Sequence, residues 1–245
     1  MDLQNLRNEL TIANRILSHE DVVDAYGHIS VRHPERADRF FLARSVAPDL
    51  VTPDDIIEYT LDGNPVDPGE KRTPYVERFI HGGIFEARPD VMSVVHAHAE
   101  DTLPFGIASA TPLRAAIHSA SGIGERVPVW DIADKFGDKT NMLVSNMDHA
   151  RDLARTLGGD SVALMRGHGF AAAARSVIAA VRMAVYLPRN ARVVMRAKQL
   201  GGEIKFMSAG EIAARNAGSD TSPQSLRAWE YWASRAGVAD LLPTR

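Results

Sequence analysis

The sequence predicts an α/β domain whose first third is an antiparallel sheet, and three observations carry that expectation. Short runs of β-branched and aromatic residues alternate along the chain with segments of 3.6-residue apolar period. The early strand signals follow one another closely, as adjacent antiparallel strands do. The 245 residues contain no Pro-, Gly- or Ser-rich linker, so residues 1–245 read as one domain.

Leu3, Leu6, Leu10, Ala13 and Leu17 share one helical face, with Asp2 as N-cap. Residues 27–31 follow as a strand, and residues 40–42 as its hairpin partner across a polar turn. Residues 56–59 form a third strand between T-P-D-D and a turn at residues 61–64. Thr73 as N-cap and Pro74 at the first helical position open a helix that runs to about Ala87, placing Glu77 in its first turns. Residues 91–99, V-M-S-V-V-H-A-H-A, read as a buried strand with Met92, Val94, His96 and His98 on one face. Strands are expected at residues 113–117 and 127–130, a helix at Met147–Leu157 ended by Gly158-Gly159, and a strand at Val162–Met165 that runs into R-G-H-G. A long helix from about Ser176 to Leu200 should kink or break at Pro188, and Leu226, Trp229, Tyr231 and Trp232 lie in helical context.

Composition narrows the function. A net charge of −3 without a basic block argues against nucleic acid or an anionic membrane as partner. The chain has no cysteine, which excludes disulfides, thiolate nucleophiles and Cys-ligated zinc, so any metal must use His, Asp or Glu. The first ten residues carry no signal-peptide pattern and no apolar run reaches bilayer length, so a cytoplasmic protein is expected.

Two imidazoles on alternate positions of one strand can hold one ion, although a lone H-x-H pair equally suits two polar side chains at a strand end. His168 in R-G-H-G is flanked by glycines that clear space around its ring. With His96 and His98 it makes a three-imidazole set that leaves coordination positions open for substrate, as catalytic sites do. Glu77 precedes His96 on an apolar helix, where a solvated carboxylate is the ordinary outcome. Gly82-Gly83 costs that helix roughly 1 kcal/mol per glycine, which close packing would explain, and Glu77 is then a candidate acid/base near the ion.

The stretch E-R-F-I-H-G-G-I-F-E-A-R-P-D-V-M-S-V-V-H-A-H-A, followed at residues 166–170 by R-G-H-G-F, resembles the class II aldolase/adducin family over nearly the whole chain. The resemblance implies a three-layer α/β/α domain around a largely antiparallel central sheet and a homotetramer with active sites near subunit interfaces. It places Glu77 at the family's acid/base position and His96, His98 and His168 at its metal ligands. One divalent ion per subunit is implied, zinc, manganese, iron or cobalt.

Sugar-phosphate aldolases of this family cradle phosphate with Gly-Asn, Thr-Gly and Ser-Ser pairs. Here Gly27-His28, Arg44-Ser45 and Tyr75-Val76 stand in those places, and His118-Ser119 stands where the aldolases carry a tyrosine. The segments G-H-I-S-V-R-H-P-E, A-R-S-V-A-P-D-L-V-T, Y-T-L-D-G-N-P-V-D and R-A-W-E-Y-W resemble instead the metal-dependent decarboxylases of hydroxylated aromatic acids, such as dihydroxyphthalate, dihydroxy-cumate and hydroxy-methylpyridine-dicarboxylate. That branch implies an aromatic acid substrate whose metal-held ring hydroxyl accepts the electrons released with CO2, and it makes His28, Arg44, Ser45, Tyr75 and Tyr231 candidate substrate contacts. The alternatives are an aldolase acting on a small hydroxy-carbonyl or sugar-phosphate compound and a non-catalytic adducin-like scaffold. His81 is either a pocket residue or a packed, hydrogen-bonded histidine; His33 and His149 read as solvent-facing.

Overall fold

Seven strands build the sheet: β1 (His28–Arg32), β2 (Arg39–Ala43), β3 (Ile56–Thr60), β4 (Ser93–Ala97), β5 (Val129–Trp130), β6 (Val162–Met165) and β7 (Gly169–Ala174). The computed structural model describes residues 2–218 and 220–243. Spatial order is β3-β2-β1-β4-β7-β6-β5, and every pairing is antiparallel except β5 with β6. The helices are α1 (Leu3–His19), α2 (Arg78–Ala87), α3 (Leu103–Ile107), α4 (Ile132–Phe136), α5 (Met147–Leu157), α6 (Val177–Leu200), α7 (Ala209–Asn216) and α8 (Pro223–Arg235).

Strand alternation sorts the core into two layers. Ile29, Val31, Val95 and Phe170 pack with Leu6 and Leu10 of α1, Val181 of α6 and Trp229 of α8. Phe40, Leu42, Val94 and Ala171 pack with Ile80 and Ile84 of α2 and Leu153 of α5. This is the expected α/β/α sandwich around a largely antiparallel sheet. The two glycines of α2 are where it closes: a Cβ on Gly82 would lie 2.0 Å from the Leu61 carbonyl oxygen, and one on Gly83 would lie 2.7 Å from Ala150 Cβ of α5. Arg32, buried at the end of β1, ties the same corner together by donating to the carbonyls of Val91, Phe85, Arg88 and Ala37.

Several boundaries differ from expectation. Residues 73–75 are not helical, because Arg44 bridges Pro74 and the Ser45 N–H bonds the Thr73 carbonyl; a turn at residues 76–77 follows, and α2 starts at Arg78 with Glu77 as its N-cap. Residues 113–117 form no strand: the Asn190 side chain takes the Ala116 and Ile117 amides and the Arg114 carbonyl that a ladder would have used. The strand expected at residues 127–130 shrinks to Val129–Trp130. β7 went unrecognised because its four consecutive alanines have little β propensity, yet small residues suit a strand covered on both faces. Pro188 is accommodated inside an uninterrupted α6, where Leu187 and Ala191 on either side are fully buried and lateral packing outweighs the lost hydrogen bond. Leu3 is exposed, while His33 and His149 are half-buried rather than solvent-facing, stacked against Phe41 and tilted against Phe136.

Glu9 of α1 is partly buried, and burial raises its carboxyl from 4.5 to about 7. Between those values the folded chain holds a proton that the unfolded chain gives up. Its contribution is therefore full below about 4.5 and lost as pH rises through about 7. Glu9→Gln is expected to melt above wild type at pH 8 and to show no such gain at pH 4; an equal difference at both pH values would sink this assignment.

Candidate metal centre

The period of two along β4 and the turn between β6 and β7 bring the expected histidines together. His96 is fully buried on β4, His98 follows two residues later just past the strand end, and His168 stands in the 166–169 turn. Backbone crowding explains the turn's composition: Gly167 has φ +63°, and a Cβ on Gly169 would lie 2.2 Å from the Ala97 carbonyl oxygen. Glu77 reaches the same point from the N-terminus of α2. One ligand atom from each of Glu77, His96, His98 and His168 lies within 4.8 Å of all the others.

The hydrogen bonds define which atoms face inward. His96 Nδ1–H donates to the Phe170 carbonyl at 3.0 Å, which leaves its Nε2 lone pair toward the cluster, 2.9 Å from His98 Nε2. Glu77 Oε2 lies 3.3 Å from His96 Nε2 and 3.4 Å from His168 Nε2. Its other oxygen, Oε1, accepts the Val144 N–H at 2.9 Å. Burial alone would raise the Glu77 carboxyl, but the His96 and His168 imidazoles outweigh it and hold the group well below the usual carboxylate range. Burial, then His96 and His168, push His98 down to about 4, so at neutral pH it offers a lone pair rather than a charge. His168 Nδ1 is sealed without a partner among the described residues. Convergent imidazole nitrogens beside an ionised carboxylate fit a borderline divalent ion such as zinc, manganese, iron or cobalt.

Around this cluster the candidate substrate contacts divide. His28, opposite His96 in the β1–β4 register, has its ring 5.2 Å from His96 and 4.6 Å from Tyr75. The Tyr75 hydroxyl donates to the Val46 carbonyl, and burial raises it to about 12. Arg44 borders Tyr75 and is 38% exposed, with Nε donating to Asp55 at 2.6 Å and neither Nη group hydrogen-bonded among the described residues. Ser45 is exposed beside it. Tyr231 is not brought to the cluster: it is 58% exposed on α8, in a cavity walled by α6, α8 and residues 118–122 that none of the four cluster residues lines.

Residues 8–195 match the class II aldolase and adducin N-terminal domain. The chain belongs to the class II aldolase/adducin family. Within that family it is 37% identical over 239 residues to the decarboxylase TropJ of Talaromyces stipitatus, covering 89% of this chain and 88% of the relative. It is 28% identical to the 3,4-dihydroxyphthalate decarboxylase of Arthrobacter keyseri, over 95% of this chain and 94% of that protein. Among solved structures, an aldolase II superfamily protein from Pseudomonas syringae superposes with TM-score 0.76 at 22% identity, covering 97% and 94% of the two chains. The L-fuculose 1-phosphate aldolase of Glaciozyma antarctica superposes with TM-score 0.69 at 21% identity, covering 96% and 88%. Both structural likenesses establish the class II aldolase fold. Among the described residues no helix is long and apolar enough to cross a membrane.

Sequence reasoning missed two contributors to the site. The Val144 N–H that tethers Glu77 is a backbone group and leaves no residue signature. Ser30, which meets His81 beneath His28, gives a signal only once β1 is known to face α2.

Proposed function

We propose that the chain is a divalent-metal-dependent decarboxylase of a hydroxylated aromatic or heteroaromatic carboxylic acid. The convergence of Glu77 with His96, His98 and His168 carries this reading, because it supplies a metal site and a proton-transfer group at one point. The named activities of the two curated relatives above favour decarboxylation over aldol cleavage. A bound divalent ion would be held by the three imidazoles and supply Lewis-acid stabilisation of a developing oxyanion.

The chain's own residues do the rest. With Oε1 tethered to the Val144 N–H, the Glu77 carboxylate takes the ring hydroxyl proton through Oε2. Glu77 returns that proton to the ring carbon bearing the carboxylate, which becomes tetrahedral while the hydroxyl oxygen becomes a ring ketone. The ring–carboxylate bond then breaks, CO2 leaves, the electron pair restores the aromatic ring with its charge on the hydroxyl oxygen, and one solvent proton restores the hydroxyl. The Tyr75 and His28 rings, inclined at 44° to one another, form an aromatic corner against which a planar acid can lie, and the Arg44 Nη groups meet a second carboxylate.

Metal-loaded protein given a panel of ortho-hydroxy aromatic acids should release CO2. Retro-aldol cleavage of a sugar phosphate without CO2 release from any acid would overturn the reading. With a productive diacid in hand, Arg44→Ala is expected to cost roughly 1.5–3 kcal/mol of transition-state binding, about 10- to 100-fold in kcat/KM. An analogue lacking the second acidic group should lose far less. Equal losses for the two compounds would remove Arg44 from carboxylate recognition.

A further inference from the structure

We propose that Ser30 and His81 are positioning residues that lock His28 in its Nε2–H tautomer, so that a neutral N–H donor faces the anionic oxygens of an acid bound beside the histidine cluster. The inference rests on the reading of His28 as a substrate contact.

Alternation along β1 turns His28 and Ser30 toward α2, where His81 is fully buried. His81 Nε2 lies 2.6 Å from His28 Nδ1, and His81 Nδ1 lies 2.5 Å from Ser30 Oγ. Hydrogens can run along this chain in two directions. If His81 Nδ1–H donates, to Ser30 Oγ or to the Val94 backbone that also meets the ring, the hydroxyl proton of fully buried Ser30 is left with no acceptor among the described residues, since His81 is the only bonding partner of Oγ there. A buried donor without an acceptor is costly. If instead Ser30 O–H donates to His81 Nδ1, then His81 Nε2–H donates to His28 Nδ1 and every proton in the chain is used. The second arrangement leaves the remaining hydrogen of His28 on Nε2. That nitrogen has no hydrogen-bond partner among the described residues and is not sealed from solvent.

Both rings are buried, which disfavours a charge on either, so the chain carries hydrogens rather than charge. A protonated Nε2 has no lone pair for an ion. His28 also stands outside the four-member cluster by position, although its ring is 5.2 Å from His96. Its role is to donate to oxygen.

Nitrogen-15 NMR of the imidazoles in the full-length protein reads the tautomer directly, with His28 assigned by the signal lost in His28→Gln. The expected result is Nε2–H in wild type and an Nδ1–H or averaged form in Ser30→Ala. An Nδ1–H His28 in wild type would overturn the proposal, and because no turnover is needed, it would do so whether or not the decarboxylase reading stands. In kinetics on the acid that releases CO2, Ser30→Ala and His81→Phe should raise KM about tenfold with metal content and kcat nearly unchanged. His81→Gln, whose amide can accept from Ser30 and donate to His28, should recover most of that loss. Unchanged KM in both Ser30→Ala and His81→Phe would also overturn the proposal.

Discussion

Glu77→Gln is expected to keep its metal and lose most of its turnover, with kcat falling about 10²- to 10⁴-fold, the range that removal of a placed general acid/base produces. The substitution is close to isosteric, and its amide oxygen can still accept the Val144 N–H, so the N-terminus of α2 should remain where it is. Three imidazoles stay in place to hold an ion. What disappears is the charge that His96 and His168 stabilise at 3.3 and 3.4 Å, and with it the ability to take and return a proton. Elemental analysis and CO2 release on the same preparation separate the two effects. Loss of metal with proportionate loss of activity would make Glu77 a ligand first, and near-normal kcat would exclude it from proton transfer.

What could be read in the chain, and what could not, follows from the range of each interaction. His96 and His98 announce themselves because period two is a local property of a strand, and β-branched neighbours mark residues 91–99 as one. His168 is marked by the glycines around it, which the close approach of Ala97 requires. Glu77 was visible as a carboxylate on an apolar segment, but its position at the helix cap was not. Thr73-Pro74 is a strong local start signal, and it is overridden by the contacts of Pro74 with Arg44 and of Thr73 with Ser45. The same limit hid the environment of His28. Its pairing opposite His96 and its contact with His81 depend on β1 lying next to β4, a register set by core packing across more than sixty residues of intervening chain. Arg44 reads in sequence as a candidate carboxylate contact, and only the fold shows that its Nε is committed to Asp55, itself fixed by Thr52.

His98→Ala is the substitution expected to abolish stable metal binding. His98 is preferable to His96 for this purpose: His96 is fully buried between β1 and β7 and its loss would open a cavity, whereas His98 lies past the end of β4 and is only partly buried. Removing one of three convergent nitrogens should weaken affinity by about 100-fold or more, since changes to groups that merely orient a ligand already cost about 10- to 100-fold. The loss can be read without any substrate. A wild-type protein held at 100 times its metal dissociation constant gains about 2.7 kcal/mol of stability, or about 5–10 °C in Tm for a chain of this size. His98→Ala should show almost none of that gain, while His149→Ala, half-buried against Phe136 and outside the cluster, should show all of it. Burial and the neighbouring imidazoles hold His98 down to about 4, so proton competition at this ligand weakens the ion's hold only as pH falls toward that value. Full stoichiometric metal in purified His98→Ala, with an undiminished metal-induced rise in Tm, would remove His98 from the ligand set.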